Sequence, residues 1–377
     1  MNKELLKKIA DAKRIVIKVG SSSLTSASGG IDIDRLNKLV DEIAKKKQSQ
    51  ADIVLVSSGA IAAALAPLGL KSRPRDLIMQ QAAASVGQGL LVHRYSERFA
   101  THNIVAGQIL LTSEDISRRS HYRNAIRTFN QLFELGVVPI VNENDTVATE
   151  EIRFGDNDRL AALVSNLIQA DALILLSDVE GLFSEAPSSP AAELISEVKN
   201  FDDISQIKVG LSSNSKLGSG GMVTKLTAAK IAAAAGIVVV LTDAKNLAKA
   251  LAGEAVGTLF HPALEKQSAR ELWLAHASVV MGSITVDEGA ANALVERRAS
   301  LLAAGITAVS GDFAVGDVVS VVTQAGEVIA RGLVNFDSDE IPLILGKTSQ
   351  KIVEQLGEHF VKEVIHRDDL VLMNQNQ

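Results

Sequence analysis

Along the first two-thirds of the chain the hydrophobic positions follow two alternating rhythms. Short β-branched runs stand at residues 14–19, 52–56, 137–141, 172–176 and 237–241. Between them lie longer stretches with apolar residues at helical spacing, such as 33–44, 124–135 and 158–169. Short apolar runs bounded by turn signals read as buried strands, and strands alternating with helices read as βαβ units around a parallel sheet. The five runs end in polar or glycine-rich turns: KVGSS, SSGA, NENDT, SDVEG and TDAKN. In open α/β sheets ligands settle outside the carboxyl ends of the strands, so these turns are expected on one rim. The segments EAPSSP (185–190) and NSKLGSGG (214–221) read as an exposed loop and a flexible Gly/Ser loop. After Phe260, His261 and Pro262 the alternation stops. From about Ala275 it gives way to short strands, one helix over 289–296 and turns at Gly311, Gly316 and Gly326. A domain boundary is therefore expected at roughly residues 262–275.

Composition sharpens the picture. The chain has 377 residues, enough for two or three domains; 47% are hydrophobic but only 3% aromatic. The core must be built from Ala, Val, Ile and Leu, which suits strands buried on both faces of a parallel sheet. The fold class expected is thus α/β, a mainly parallel sheet sandwiched by helices, with a small β-rich C-terminal domain. There is no cysteine, which rules out disulfides and thiolate metal sites and fits a reducing compartment. The N-terminus lacks the pattern of a signal peptide, and no run reaches about 18 apolar residues, so a cytoplasmic protein without a membrane span is expected. Net charge is −6. From Arg270 onward 8 Lys and Arg face 15 Asp and Glu, a net of −7, so the basic footprint of RNA binding is missing. The seven histidines show no H-x-x-H or H-E-x-x-H spacing, and no protein metal site is expected from them. Trp273 is expected to pack at the domain junction.

Candidate chemistry gathers in the turns. No Walker A pattern is present, and GSGGMVTK fits neither it nor a dinucleotide fingerprint. Lys18 precedes Gly20-Ser21-Ser22, where backbone N–H groups can approach a phosphate and a lysine can bridge its oxygens. A lysine snorkelling at a strand end reads equally well from the residues alone. Ser58 in SSGA could contact a ligand carboxylate or simply cap the following helix. Asn142-Glu143-Asn144-Asp145 places four polar residues directly after VVPIV, more than a turn needs. Asp156 could cap a helix that begins near Asp158.

Taken in order, IVIKVGSSSLT (15–25), VSSGAIAA (56–63), QAAASVGQ (81–88), PIVNENDTV (139–147), FGDNDRLAALV (154–164), LLSDVEGLF (175–183) and GSGGMVTK (218–225) resemble the amino-acid kinase family across residues 13–260. NENDTV followed by FGDND points to the branch that phosphorylates the γ-carboxylate of free L-glutamate, and argues against relatives acting on N-acetylglutamate or aspartate. GSITVDEGAANAL (282–294), SLLAAGI (300–306) and VSGDFAVGDVV (309–319) resemble a PUA domain. The resemblance implies a kinase domain over 1–262, a PUA domain over 275–360 and a C-terminal tail over 361–377. It implies ATP and Mg²⁺ as cofactors and γ-glutamyl phosphate as product, in the first step of proline biosynthesis. It also implies a homo-oligomer, proline as feedback inhibitor and handover to glutamyl phosphate reductase.

By the same resemblance Lys18 and Lys225 lie on the phosphates, and Asp158 orients both rather than acting as a base. Ser58, Asp145 and Asn157 bind the substrate, with Asp145 on the α-ammonium. Ser177 and Asp178 lie along the nucleotide. The loop of Ser219, Gly220, Gly221, Met222, Val223, Thr224 and Lys225 holds ATP. Several positions depart from the family pattern: Ser177 and Ser219 stand for Thr, Phe183 for Tyr, and Ala64 for a Gly, which removes freedom for positive φ.

Overall fold

The computed structural model describes residues 1–26, 30–112, 115–116, 119–147, 157–204, 221–263, 271, 274–275, 280–356 and 362–373. Contacts divide the chain into two units, Met1–Gln267 and Ser268–Gln377.

In the first unit the elements run α1 (Lys3–Ala10), β1 (Arg14–Val19), α2 (Ser21–Leu24), α3 (Ile33–Gln48), β2 (Asp52–Ser57), α4 (Ala60–Ala64) and α5 (Leu77–Ala100). Next come β3 (Ala106–Leu111), α6 (Arg119–Glu134), β4 (Val138–Glu143), α7 (Asn157–Leu167) and β5 (Ala172–Ser177). A small ribbon of β6 (Leu182–Phe183) and β7 (Leu194–Ile195) precedes β8 (Glu197–Val198), α8 (Met222–Ala234), β9 (Val238–Asp243), α9 (Leu247–Leu251) and β10 (Thr258–Phe260). Eight strands form one sheet in the order β3-β4-β2-β1-β5-β9-β10-β8, parallel except where β10 meets β9.

Strand β1 is central because its residues are apolar on both faces: Ile15, Val16 and Ile17 are all fully buried. From it the chain steps outward to β2 on one side and later to β5 on the other, both in parallel register with Lys18 opposite Val56 and Leu175. This reversal of direction opens a crevice at the carboxyl end of β1. The five expected strands form where expected. A sixth, β3, was not signalled, because as an edge strand it is half-exposed and carries no continuous apolar run.

Helix α5 was also not signalled. Its sequence, LIMQQAAASVGQGLLVHRYSERFA, has weak polar contrast and two glycines, both of which mask a helical pattern. Tertiary packing overrides this: Ala83, Gly87, Leu91, Tyr95 and Phe99 repeat every four residues and are buried. Gly87 has a definite reason to be glycine. A Cβ there would stand 1.7 Å from the Ala60 carbonyl oxygen, so α5 crosses α4 backbone against backbone. Ala64 ends α4 fully buried and does not adopt positive φ, so the glycine of its relatives is not required there. Gly59, just before α4, does take a left-handed φ of 111°.

In the second unit β11 (Val280–Val286), α10 (Glu288–Arg297), β12 (Ile306–Gly311), β13 (Val318–Thr323), β14 (Val328–Leu333), α11 (Ile341–Ile344), α12 (Ser349–Leu356) and β15 (Leu370–Leu372) surround a core of its own, including Ile284, Leu294, Val319, Phe336 and Ile365. The sheet order is β12-β11-β13-β14-β15. Gly311, Gly316 and Gly326 all have positive φ, as turns at those places require. The expectation of a tail over 361–377 is corrected here. Leu370–Leu372 pair antiparallel with β14, and Val364 and Ile365 are fully buried, so this short apolar run closes the sheet. Trp273 lies outside the described residues.

Each unit thus has its own sheet and buried cluster. We propose that they are separable, with the division between residues 262 and 275. A fragment ending at Gln267 should unfold in urea as one cooperative transition. A broad, non-cooperative melt of that fragment would contradict the division.

Candidate active site

The site is built around one buried carboxylate. Asp158 is fully buried in the first turn of α7, where the helix N-terminus favours a negative charge. Lys18, reaching from β1, forms an ion pair with its Oδ1. Lys225, from the first turn of α8, donates to its Oδ2 at 3.0 Å. Thr224 Oγ1 donates to the same oxygen at 3.2 Å. Both lysines are themselves buried, at 2% and 8% exposure, so neither is a snorkelling surface residue. Two cations from separate elements thus share one buried anion, which fixes both ammonium groups in place.

Gly20 follows β1, and a Cβ there would stand 3.6 Å from Lys18 Nζ, so the turn runs close beside the ammonium. Gly221 caps α8 without a side-chain bond, so the first N–H groups of this 13-residue helix are not satisfied by a capping side chain. Such a helix start attracts phosphate. Met222, Val223 and Thr224 form that first turn. Ser219 and Gly220, expected in the same loop, lie outside the described residues, as does Asp156.

On the β2 side lies a second, uncharged cluster. Asn157 Nδ2, next in sequence to Asp158, donates to Ser58 Oγ at 2.8 Å, to Asn142 Oδ1 at 2.7 Å and to the Ser57 carbonyl at 3.3 Å. The Ser58 N–H donates to the Val19 carbonyl at 3.1 Å, tying this turn to the end of β1. Ser57 Oγ donates to the Ser58 carbonyl at 3.0 Å and so accepts from the Tyr95 hydroxyl at 2.8 Å. Burial pushes the Tyr95 phenol well above its ordinary pKa, against the opposing effect of the Ser57 bond, and it stays protonated as that donation needs. Asn142 Nδ2 donates to Gln88 Oε1 at 2.6 Å. Asp145, half-buried, follows two residues after β4.

On the β5 side, Ser177 closes the strand, buried, and its hydroxyl donates to Asp178 Oδ1 at 3.2 Å. The structure therefore brings Lys18, Asp158, Lys225 and Thr224 into one charged cluster, and Ser58 and Asn157 into the adjoining amide network. Ser177 and Asp178 stand at the end of the neighbouring strand β5. Sequence reasoning quoted Gln88 at the end of QAAASVGQ without giving it a role, and missed Tyr95, whose signal was a periodicity of four through α5 that the small residues and glycines obscure.

Residues 13–243 match the amino acid kinase family, and residues 282–356 match the PUA domain. A glutamate 5-kinase of Streptomyces avermitilis is 56% identical over 97% of this chain and 98% of its own length. Glutamate 5-kinases of Salinispora arenicola and Bifidobacterium animalis subsp. lactis are 54% and 51% identical, covering 97% and 98% of this chain and 99% and 98% of their own. With a family match over most of the first unit and such relatives over nearly its whole length, the chain belongs to the amino acid kinase family, in its glutamate 5-kinase branch.

Proposed function

We infer that the chain transfers the γ-phosphate of ATP to the γ-carboxylate of free L-glutamate, yielding γ-glutamyl phosphate in the first step of proline biosynthesis. The observation that carries this reading is the buried Lys18–Asp158–Lys225 triad, two ammonium groups held on one carboxylate.

The chemistry follows from the charges. A glutamate side chain has a reference pKa of about 4.3 and is already an anion at neutral pH, so no general base is needed. The obstacle is repulsion between an anionic nucleophile and an anionic phosphoryl group. Phosphoryl transfer is governed by alignment and charge neutralisation. Lys18 and Lys225 approach Asp158 from two different elements, and their ammonium groups would stabilise the equatorial oxygens and the β–γ bridge. Both oxygens of Asp158 are engaged by those ammonium groups, which fits an orienting role rather than proton removal. Ser177, Asp178 and the loop from Ser219 to Lys225 would lie along the nucleotide. Ser58, Asn157 and Asp145 would hold glutamate, Asp145 taking the α-ammonium.

Mg²⁺ would accompany the nucleotide, neutralising its phosphates. The ion would be held mainly by the phosphates and water. Among the described residues no helix is long and apolar enough to cross a membrane. A cytoplasmic homo-oligomer, inhibited by proline and passing its product to glutamyl phosphate reductase, completes the proposal.

ATP turnover with free glutamate, with hydroxylamine added to trap the acyl phosphate, tests the reaction. A hydroxamate should form with glutamate and not with N-acetylglutamate or aspartate. Equal rates with N-acetylglutamate would contradict the substrate assignment. Lys18→Met and Lys225→Met should each lower kcat by roughly 10²-fold or more, since each removes transition-state charge stabilisation. Folded variants with wild-type kcat would show that the lysines do not act on the phosphoryl group.

A further inference from the structure

The amide network beside Ser58 ends in a donor that the reaction as described does not use. Backbone groups fix which way the amides face. The Glu143 N–H can only donate, and it donates to Asn142 Oδ1 at 2.9 Å. Asn142 Nδ2 therefore faces the other way, toward Gln88, whose nearest atom at 2.6 Å must be the acceptor Oε1. At the far end the Ser57 carbonyl can only accept, so the atom of Asn157 that faces it is Nδ2. The polarity of the chain Asn157–Asn142–Gln88 is set from both ends. It leaves Gln88 with its carbonyl oxygen occupied and its Nε2 without a partner among the described residues.

Gln88 is half-buried and cannot easily turn away. The residue before it, Gly87, is pressed against the backbone of α4, which fixes where α5 carries the side chain. Among the described residues none of its bonds reaches Lys18, Lys225 or Asp158. The phosphoryl acceptor must lie beside those charges, and Asn157, next to Asp158, marks that end of the pocket. Gln88 stands two hydrogen bonds further along the network, at the end where the α-groups of the substrate would lie. A positioned amide donor with no acceptor among the described residues matches a carboxylate oxygen.

We propose that Gln88 Nε2 donates to the α-carboxylate of glutamate, so that Gln88 is a specificity-determining residue of this pocket. The proposal rests on the reading that Ser58 and Asn157 hold glutamate. It differs from a purely structural role, in which Gln88 only tethers Asn142.

Gln88→Glu separates the two. It keeps the size and keeps an oxygen for Asn142 Nδ2, but replaces the free donor by an anion. The KM for glutamate should rise by about 10²-fold, with kcat changed by less than about tenfold and the KM for ATP within about threefold. The preference for glutamate over its α-carboxamide, isoglutamine, should fall by at least about tenfold, because only the carboxylate is repelled. Gln88→Met, which loses the donor without adding charge, should reduce the same preference. If Gln88→Glu behaves as wild type, or if Gln88→Met weakens glutamate and isoglutamine equally, the proposal is overturned and Gln88 is a tether. Ser58→Ala and Asn157→Ala, assayed in parallel, guard the underlying reading. A raised glutamate KM in both places glutamate in this pocket whatever Gln88 does; an unchanged KM in both overturns the pocket assignment, and the Gln88 proposal with it.

Discussion

A carboxylate with no exposure to water, held between two lysine ammonium groups, is the interaction on which the rest of the site depends. Asp158 at the start of α7 is reached by Lys18 from the central strand and by Lys225 from α8, so three elements far apart in sequence meet at one pair of oxygens. Ion pairs taken out of water seldom repay their desolvation in stability, and removing one partner is costly. On the proposed reading the two ammonium groups would offer a transferring phosphoryl group a field that is already in place, in surroundings where charges are weakly screened.

Strand β1 is flanked by β2 on one side and β5 on the other. The β2 side carries Ser58, Asn157, Asn142 and Gln88, uncharged donors and acceptors. The β5 side carries Ser177, and α8 begins at Gly221 without a side-chain cap. On the proposed reading the first side would take the amino acid and the second the nucleotide, with Lys18 on β1 between them, where acceptor carboxylate and γ-phosphate would meet.

Much of this was legible in the sequence, for physical reasons that differ from part to part. Strands buried on both faces announce themselves as apolar runs, and the turns that follow hold the polar residues that no buried strand tolerates; β1, β2, β4, β5 and β9 were found that way. Lys18 was a candidate because it adjoins such a turn; Asp158 and Lys225, with Asp158 orienting both lysines, came from the resemblance to the amino-acid kinase family. The residues alone do not show that pairing, since a contact across 67 residues, as between Asp158 and Lys225, leaves no local pattern. Strand β3 was missed as a half-exposed edge, and α5 because alanine and glycine blur an amphipathic stripe. With α5 went Tyr95, and Gln88, though quoted in QAAASVGQ, had no role until its bond to Asn142 was seen. The strand at Leu370–Leu372 was missed because three residues near a chain end resemble a tail until a partner strand is known.

The measurement that bears most directly on the central claim is the kinetics and stability of Asp158→Asn. Asparagine keeps the shape of the side chain but removes the charge that both lysines share. The account predicts a loss in kcat of roughly 10²-fold or more, because the ammonium groups are no longer held in place for the transition state. It also predicts a fold weakened by about 3–5 kcal/mol, as expected when buried charges lose their partner, with stability partly restored by ATP, whose phosphates supply the missing negative charge. A folded variant with wild-type kcat and undiminished stability without ATP would contradict the account, for Asp158 would then neither hold the lysines nor balance their charge.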